Sequence, residues 1–225
     1  MPVSELLKSP FVAGNHYHLV FKSIDGVLLF REENDYAIFL ERFQQFTAIA
    51  FTNWAYCQLS NHVHFIIKVK PLENIIKAIS KTDQTKQTVA MKKLLTLQDN
   101  LEALDAMIER QVNSFMVSYA NYTKNKYLHD GGLFQKPFKR IAIDTDTHLQ
   151  MAIIYVHANI IKHKVFDNHK EYLHSSYNAI SINNNFYCAS AAVLQFFGGV
   201  EKFIRSHEEQ INYYYQKGFP NSKLE

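Results

Sequence analysis

The sequence predicts an α+β protein: a ferredoxin-like or RRM-like antiparallel sheet with helices on one face, followed by a helical C-terminal tail. Three observations predict it. Short alternating runs rich in aromatic and β-branched residues are interleaved with longer runs at helical spacing. Two strand-like runs are separated only by Ser60-Asn61, which suggests a hairpin. The elements read in the order β-α-β-β-α-β-α before the tail.

Taken in order, His16 to Ile24 alternates and is rich in aromatic and β-branched residues, so it reads as a strand that Asp25-Gly26 turns. Asn34 to Phe51 carries Phe39, Phe43 and Phe46 at helical spacing, with Asn34 or Asp35 able to cap it. Trp54 to Leu59 and His62 to Val69 form the hairpin, and Pro71 closes it. Glu73 to Lys81 reads as a helix, and the polar stretch Lys81 to Lys93 reads as a mobile segment or an extended surface helix. Asp99 to Lys124 reads as a long helix, broken by Asp130-Gly131-Gly132. Leu133 to Ile143 reads as a strand that Pro137 assigns to an edge or a bulge. Asp144 or Thr145 caps the next helix, which runs to about Lys164. Two further helical stretches lie near Ala189 to Phe197 and Val200 to Tyr215. The expected division is a main domain over 1–166 and a helical extension over 167–225 packed on it.

The 225 residues are 47% hydrophobic and 20% charged, an ordinary globular composition. No apolar run is long enough for a transmembrane helix, and Met1 to Pro10 does not read as a secretory signal, so the expectation is cytoplasmic. Cys57 and Cys188 are the only cysteines, which excludes a disulfide scaffold and a CxxC zinc site and favours two buried thiols. A net charge of +3 permits nucleic-acid binding without demanding it. The 13 Tyr, 17 Phe and 11 His supply rings for stacking on bases and imidazoles for metals, although core packing accounts for many of them.

The sharpest local signal is Asn61-His62-Val63-His64-Phe65-Ile66-Ile67. Side chains alternate along a strand, so His62 and His64 share a face about 7 Å apart, while Val63, Phe65 and Ile67 face a core. Two imidazoles on one rigid strand can grip a divalent ion and leave positions open for phosphate oxygens. An H-x-H pair alone is a weak signal. A second one, His16-Tyr17-His18, reads as a structural or secondary pair.

On the helix containing Met151 to Lys164, Tyr155 and Asn159 are one turn apart and share a face. Leu149, Ile153, Val156 and Ile160 form an apolar stripe, Ile154 and Ile161 a smaller patch, and a polar strip with Tyr155, Asn159 and Lys162 lies between them. A phenol with an ordinary pKa of about 10 becomes a usable nucleophile beside a metal and a cation. Asn159 can lend its carbonyl oxygen to the same metal, completing a His62, His64 and Asn159 set. An ordinary half-buried tyrosine is the bland alternative for Tyr155.

Taken together, the motifs resemble the HUH single-tyrosine transposases, and within them the REP-associated tyrosine transposases. The matching segments are Tyr17-His18-Leu19-Val20, Leu59-Ser60-Asn61-His62-Val63-His64-Phe65-Ile66, Tyr119 to Tyr127, Gly132-Leu133-Phe134-Gln135-Lys136-Pro137-Phe138, Tyr155-Val156-His157-Ala158-Asn159, Ser175-Ser176-Tyr177, and a tail with Phe196-Phe197-Gly198-Gly199 and Phe203. They run in the family's order from about residue 14 to 208. The chain departs from the family's usual Pro-Val-Arg-Ala-Gly after the Asn, with Ile160, Ile161, Lys162, His163 and Lys164 in those places. Lys162 keeps the charge of the Arg without its planar fork.

The resemblance implies a DNA transposase, a site-specific endonuclease and strand-transferase acting on single-stranded or hairpin DNA. Tyr155 would be the nucleophile of a 5′-phosphotyrosine intermediate, and Mg²⁺ or Mn²⁺ would sit on His62, His64 and Asn159. Lys136, Lys139, Arg140 and Lys162 would contact DNA, the first three otherwise reading as a solvated edge strand. Phe134 and Phe138 read as core residues before base-stacking ones. Both a monomer and a homodimer exchanging the tyrosine helix stay open. Two alternatives remain: a catalytically silent hairpin DNA- or RNA-binding protein of the same fold, and a metal phosphohydrolase using water in place of Tyr155.

Overall fold

The computed structural model describes residues 9–97, 99–128 and 131–218. Asp130 of the expected Gly-Gly break, and Met1 to Lys8 at the start of the N-terminal stretch, lie outside the described residues. Four strands, β1 (His16–Lys22), β2 (Phe51–Leu59), β3 (His62–Val69) and β4 (Lys139–Ile143), form one antiparallel sheet in the order β2-β3-β1-β4. This is the ferredoxin-like order, with the hairpin β2–β3 on one side and the late strand β4 added at the edge beside β1. The α+β class expected from the sequence is the class observed.

Helices α1 (Glu33–Thr47) and α4 (Leu101–Tyr127) pack together over one face, and α2 (Leu72–Lys81) and α3 (Val89–Thr96) lead from β3 into α4. Phe39 and Phe43 on α1 and Phe115 and Tyr119 on α4 repeat at helical spacing and meet Phe21 and Phe65 of the sheet. Each such ring, fully buried, contributes about 2–3 kcal/mol of transfer free energy. Phe134 and Phe138 lie in this same core, 6.5 and 5.7 Å from the Phe21 ring.

The opposite face is also covered. Helix α5 (Asp146–Lys162) crosses β2 and β3, and α6 (Tyr177–Ser181), α7 (Ser190–Phe197) and α8 (Val200–Lys217) pack behind it. A second apolar cluster joins Ile66 and Leu59 of the sheet, Ile153 and Ile160 of α5, and Phe203 and Ile211 of α8. The tail therefore seals the outer side of α5, and the sheet carries helices on both faces.

Some boundaries differ from the sequence reading. Helix α1 ends at Thr47, so β2 starts at Phe51 and gains three residues. The N-cap of α1 is Glu32, not Asn34 or Asp35; Asp35 lies in the first turn and accepts from the backbone N–H of Arg31 and Glu32 at 2.8 and 3.1 Å. The polar stretch after Lys81 is a loop leading into α3, where Thr88 caps the helix by accepting from the Met91 N–H. The fourth strand is short. Pro137 cannot donate to a ladder and precedes it, and upstream only Phe134 bridges to Ser23. Thr145 caps α5, accepting from the His148 N–H at 3.1 Å. Both cysteines are buried and unpaired with each other.

Candidate active site

Strand register decides which histidines meet. Val20 lies opposite His64 and Lys22 opposite His62, so the period of two puts His18, Val20, His62, His64 and Ile66 on the α5 face. Tyr17, Leu19, Phe21, Val63 and Phe65 turn into the aromatic core instead. The expectation that His62 and His64 share a face, with Val63, Phe65 and Ile67 inward, is met by this alternation.

The His62 and His64 rings lie 5.1 Å apart between centroids. His62 Nδ1 is 2.7 Å from Asn61 Oδ1, an oxygen that can only accept, so Nδ1 carries the proton and Nε2 is the lone-pair nitrogen of the neutral ring. His18 reaches diagonally across the ladder, its Nε2 2.9 Å from His64 Nδ1, with the two rings stacked. His163, at the C-terminal end of α5, sets its ring 4.7 Å from that of His62.

Helix α5 delivers the phenol to this row. The Tyr155 ring centroid is 6.3 Å from both the His18 and the His64 ring, edge-on to each. Lys162, two turns later, donates from Nζ to the Tyr155 hydroxyl at 2.9 Å. Asn159 donates from Nδ2 to the Tyr155 carbonyl at 3.0 Å, the bond of an amide folded back on its own helix. Its Oδ1 then has no hydrogen-bond partner although it is buried, and the same is true of His64 Nε2. Two such atoms left unsatisfied in a protein interior, where buried polar atoms normally have partners, are candidates to meet a further group.

Those atoms define a donor set. Among the described residues no group of three or more His, Cys, Asp or Glu side chains is placed to hold an ion, which leaves Asn159 as the third candidate donor beside His62 and His64. Two neutral imidazoles and an amide oxygen fit a borderline divalent ion that keeps open positions. Burial holds His18 neutral, with its pKa pushed down to about 3, and nearby His148 and Lys139 add to the effect. Burial also drives His64 well below the usual imidazole range, helped by the positive charges that His18, His62, His163 and Lys162 can carry. Neutral imidazoles are the form in which nitrogen ligates.

The polar strip expected between two apolar patches of α5 is covered at Tyr155 and Asn159. Tyr155 is 1% exposed and Asn159 fully buried, because the sheet and the tail cover opposite sides of the helix. Lys162 remains partly exposed at the end of α5.

The basic residues near β4 divide. Lys139 pairs with Val20 and shares the α5 face with His18, whereas Arg140 pairs with Leu19 and turns to the other face. There the Arg140 guanidinium binds both carboxylate oxygens of Asp105, at 2.7 and 3.3 Å, and lies over the Phe11 ring. Arg140 is thus held in a structural pair, at odds with its expected DNA contact; the one-residue alternation that separates it from Lys139 is the physical reason. Lys136 is exposed in the segment before β4.

His18, which the sequence assigns to a structural or secondary pair, and His163, to which it assigns no site role, both come to the site. Their signals were present: His16 and His18 alternate in step with the site face, and His163 follows Asn159 by one turn. What was missing was the β1–β3 register and the end of α5.

No family model matches the chain, and no curated protein matches it. Among solved structures, a REP-associated tyrosine transposase bound to a REP hairpin overlays with a TM-score of 0.48 at 12% identity, covering 78% of this chain and 84% of that one. A bacterial tRNA(His) guanylyltransferase-like protein in complex with ATP overlays with a TM-score of 0.33 at 9% identity, covering 75% of this chain and 70% of that one. Both overlaps are too loose to carry function, so the functional reading rests on the chain's own residues.

Proposed function

We propose that the chain is a metal-dependent tyrosine transposase that nicks and rejoins single-stranded or hairpin DNA through Tyr155. The observation that carries this reading is the meeting of three groups from distant parts of the sequence. The Tyr155 ring, its hydroxyl held by Lys162, lies edge-on to two strand histidines, and the unpartnered His64 Nε2 and Asn159 Oδ1 are buried in the same interior.

His62, His64 and Asn159 would hold Mg²⁺ or Mn²⁺. When bound, such an ion neutralises a phosphate oxygen and stabilises a departing 3′-oxygen. The remaining chemistry belongs to the chain. Lys162 holds the phenolic oxygen and favours its phenolate by charge. The Tyr155 oxygen attacks the phosphorus in line. An O–P bond to Tyr155 forms, the bond to the 3′-oxygen breaks, and the phenolic proton ends on that oxygen as a free 3′-hydroxyl. The reverse reaction, with a different 3′-hydroxyl, joins the strands, and the phosphotyrosine conserves the bond energy. Lys136, Lys139 and Lys162 would bear on the DNA phosphates.

The near-complete burial of Tyr155 favours a second reading, a silent hairpin-binding protein of the same fold. One assay separates the two. Purified protein incubated with Mn²⁺ and a hairpin-flanked oligonucleotide is expected to yield a covalent adduct on a denaturing gel. Tyr155→Phe is expected to remove the adduct and leave DNA binding intact. Binding without an adduct in the wild type would establish the silent reading instead.

A further inference from the structure

We infer that His18 is the positioning residue for the metal ligand His64, acting as the hydrogen-bond acceptor that fixes which nitrogen of His64 is free to bind the ion. The inference deepens the proposed metal site and rests on it.

The argument starts from the short contact between His18 Nε2 and His64 Nδ1 at 2.9 Å. One of these nitrogens must carry the proton and the other must accept it. The far nitrogens, His18 Nδ1 and His64 Nε2, are both buried with no hydrogen-bond partner. Two tautomer pairs satisfy the contact. If His18 donates, His64 keeps its proton on Nε2 and that atom presents an N–H to the site. If His64 donates, its Nε2 is a bare lone pair and His18 carries its proton on Nδ1. Each pair leaves one buried N–H and one buried lone pair unmet, so the protein alone has little reason to choose.

A cation decides between them. It can bind His64 Nε2 only in the second pair, so ion binding and the direction of the His18–His64 bond are one event. Ligating histidines commonly donate their other ring N–H to an outer partner that orients the ring and raises its basicity. Here a second histidine stands in that place. His62 has its own partner, Asn61 Oδ1, which puts its proton on Nδ1 by the same rule. Each of the two histidines thus meets an acceptor at Nδ1, supplied by two different residues. Backbone geometry supports the role: β1 and β3 pair in continuous register from His16 to Lys22, so the diagonal reach of His18 is set by the sheet.

The test uses the full chain, with Mn²⁺ alone as the probe. Isothermal titration is expected to show His18→Leu weakening Mn²⁺ binding by about 10–100-fold, the usual range for an outer partner of a ligating histidine. His18→Gln, whose amide oxygen is an acceptor, is expected to recover most of that loss. Thermal melts in chelator establish that each variant is folded. Long-range ¹H–¹⁵N spectra of the wild type with Mg²⁺ are expected to show His64 protonated on Nδ1, a signature that packing alone does not set. If the wild type binds Mn²⁺ and His18→Leu binds it equally well, or if His64 is protonated on Nε2 with the ion present, the role of His18 is overturned and the metal site stands. If the wild type binds no Mn²⁺, the metal site and this inference fall together.

Discussion

Lys162 donates from Nζ to the hydroxyl of Tyr155 at 2.9 Å across two turns of α5, with its charge 5.1 Å from the centre of that ring. An ammonium at this distance favours the phenolate by charge, in opposition to the burial of the ring. Lys162→Gln is expected to slow adduct formation by about 10²-fold, the cost typical of removing one preorganised donor from a developing negative charge. Lys162→Arg keeps the charge and is expected to fall between. Single-turnover adduct kinetics at fixed Mn²⁺ measure both. An unchanged rate in Lys162→Gln would remove the lysine from the chemistry.

Lys136 and Lys139 make the opposite prediction to Arg140 although they lie close to it in sequence. Lys136→Gln and Lys139→Gln are each expected to weaken DNA binding across sequences and to lower the salt slope by about one. Arg140→Gln is expected to leave the salt slope alone and to destabilise the fold, since it strands the Asp105 carboxylate that also accepts from the Phe11 N–H at 2.8 Å. Removing one partner of a largely buried pair costs about 3–5 kcal/mol at the buried limit, and the partial exposure of Asp105 lowers that figure. Fluorescence anisotropy over a salt series and urea denaturation separate the two effects.

Much of this arrangement was legible in the sequence because it rests on local periodicity. The shared face of His62 and His64 needs only the two-residue period of a strand, and the turn relating Tyr155 to Asn159 needs only the helix pitch. What stayed hidden depends on contacts between distant segments. The pairing of His18 with His64 follows from a β1–β3 register that no local pattern fixes. The two apolar patches of α5 point to cover on two sides, but the burial of Tyr155 follows from a distant tail that packs on the helix, which no pattern within the helix fixes. The ion pair of Arg140 with Asp105 was hidden for the same reason: alternation separates Lys139 from Arg140, but only the fold shows which carboxylate waits on the second face.

Asp35 gives a prediction for acid. Burial raises the pKa of its carboxyl, but hydrogen bonds from Tyr127, the Arg31 N–H, Lys126 and Tyr122 together outweigh burial and hold it well below the usual carboxylate range. A carboxylate with a depressed folded pKa stabilises the protein above its unfolded pKa of about 4, and that stability drains away as the pH falls further. Asp35→Asn is therefore expected to destabilise the chain at pH 7, by about 1.5–3 kcal/mol for each charge-assisted bond lost. It is also expected to flatten the stability curve below pH 4. Urea midpoints at pH 7, 4 and 3 for both proteins test this.

A second acid response, at higher pH, comes from a chain of neutral imidazoles behind the site. His207 Nδ1 lies 2.8 Å from the Phe203 carbonyl, which can only accept, so that nitrogen carries the proton. His207 Nε2 must then accept, and His157 donates to it from Nδ1 at 2.9 Å. His157 Nε2 is left to accept from the Ser176 hydroxyl at 2.8 Å. The Tyr56 carbonyl, at 3.3 Å, is a second and longer acceptor for the Ser176 hydroxyl, and adding a proton to either imidazole puts a donor where an acceptor is required. Burial accordingly pushes His207 down to about 3, although the Phe203 carbonyl opposes the shift, and holds His157 well below its ordinary value with His207 and His169 adding to the effect. Both groups are neutral in the fold and take up protons on unfolding once the pH drops below about 6.5. Stability is thus at its full value above pH 6.5 and falls as the pH goes down toward the folded values, by about 1.4 kcal/mol per pH unit for each histidine. His157→Phe is expected to lose stability at pH 7.5, because Ser176 and His207 each lose a partner, while its stability declines less steeply between pH 6 and 4.5. Chemical denaturation at half-unit pH steps reads both quantities, and parallel curves for the two proteins would show that His157 takes no part in the acid response.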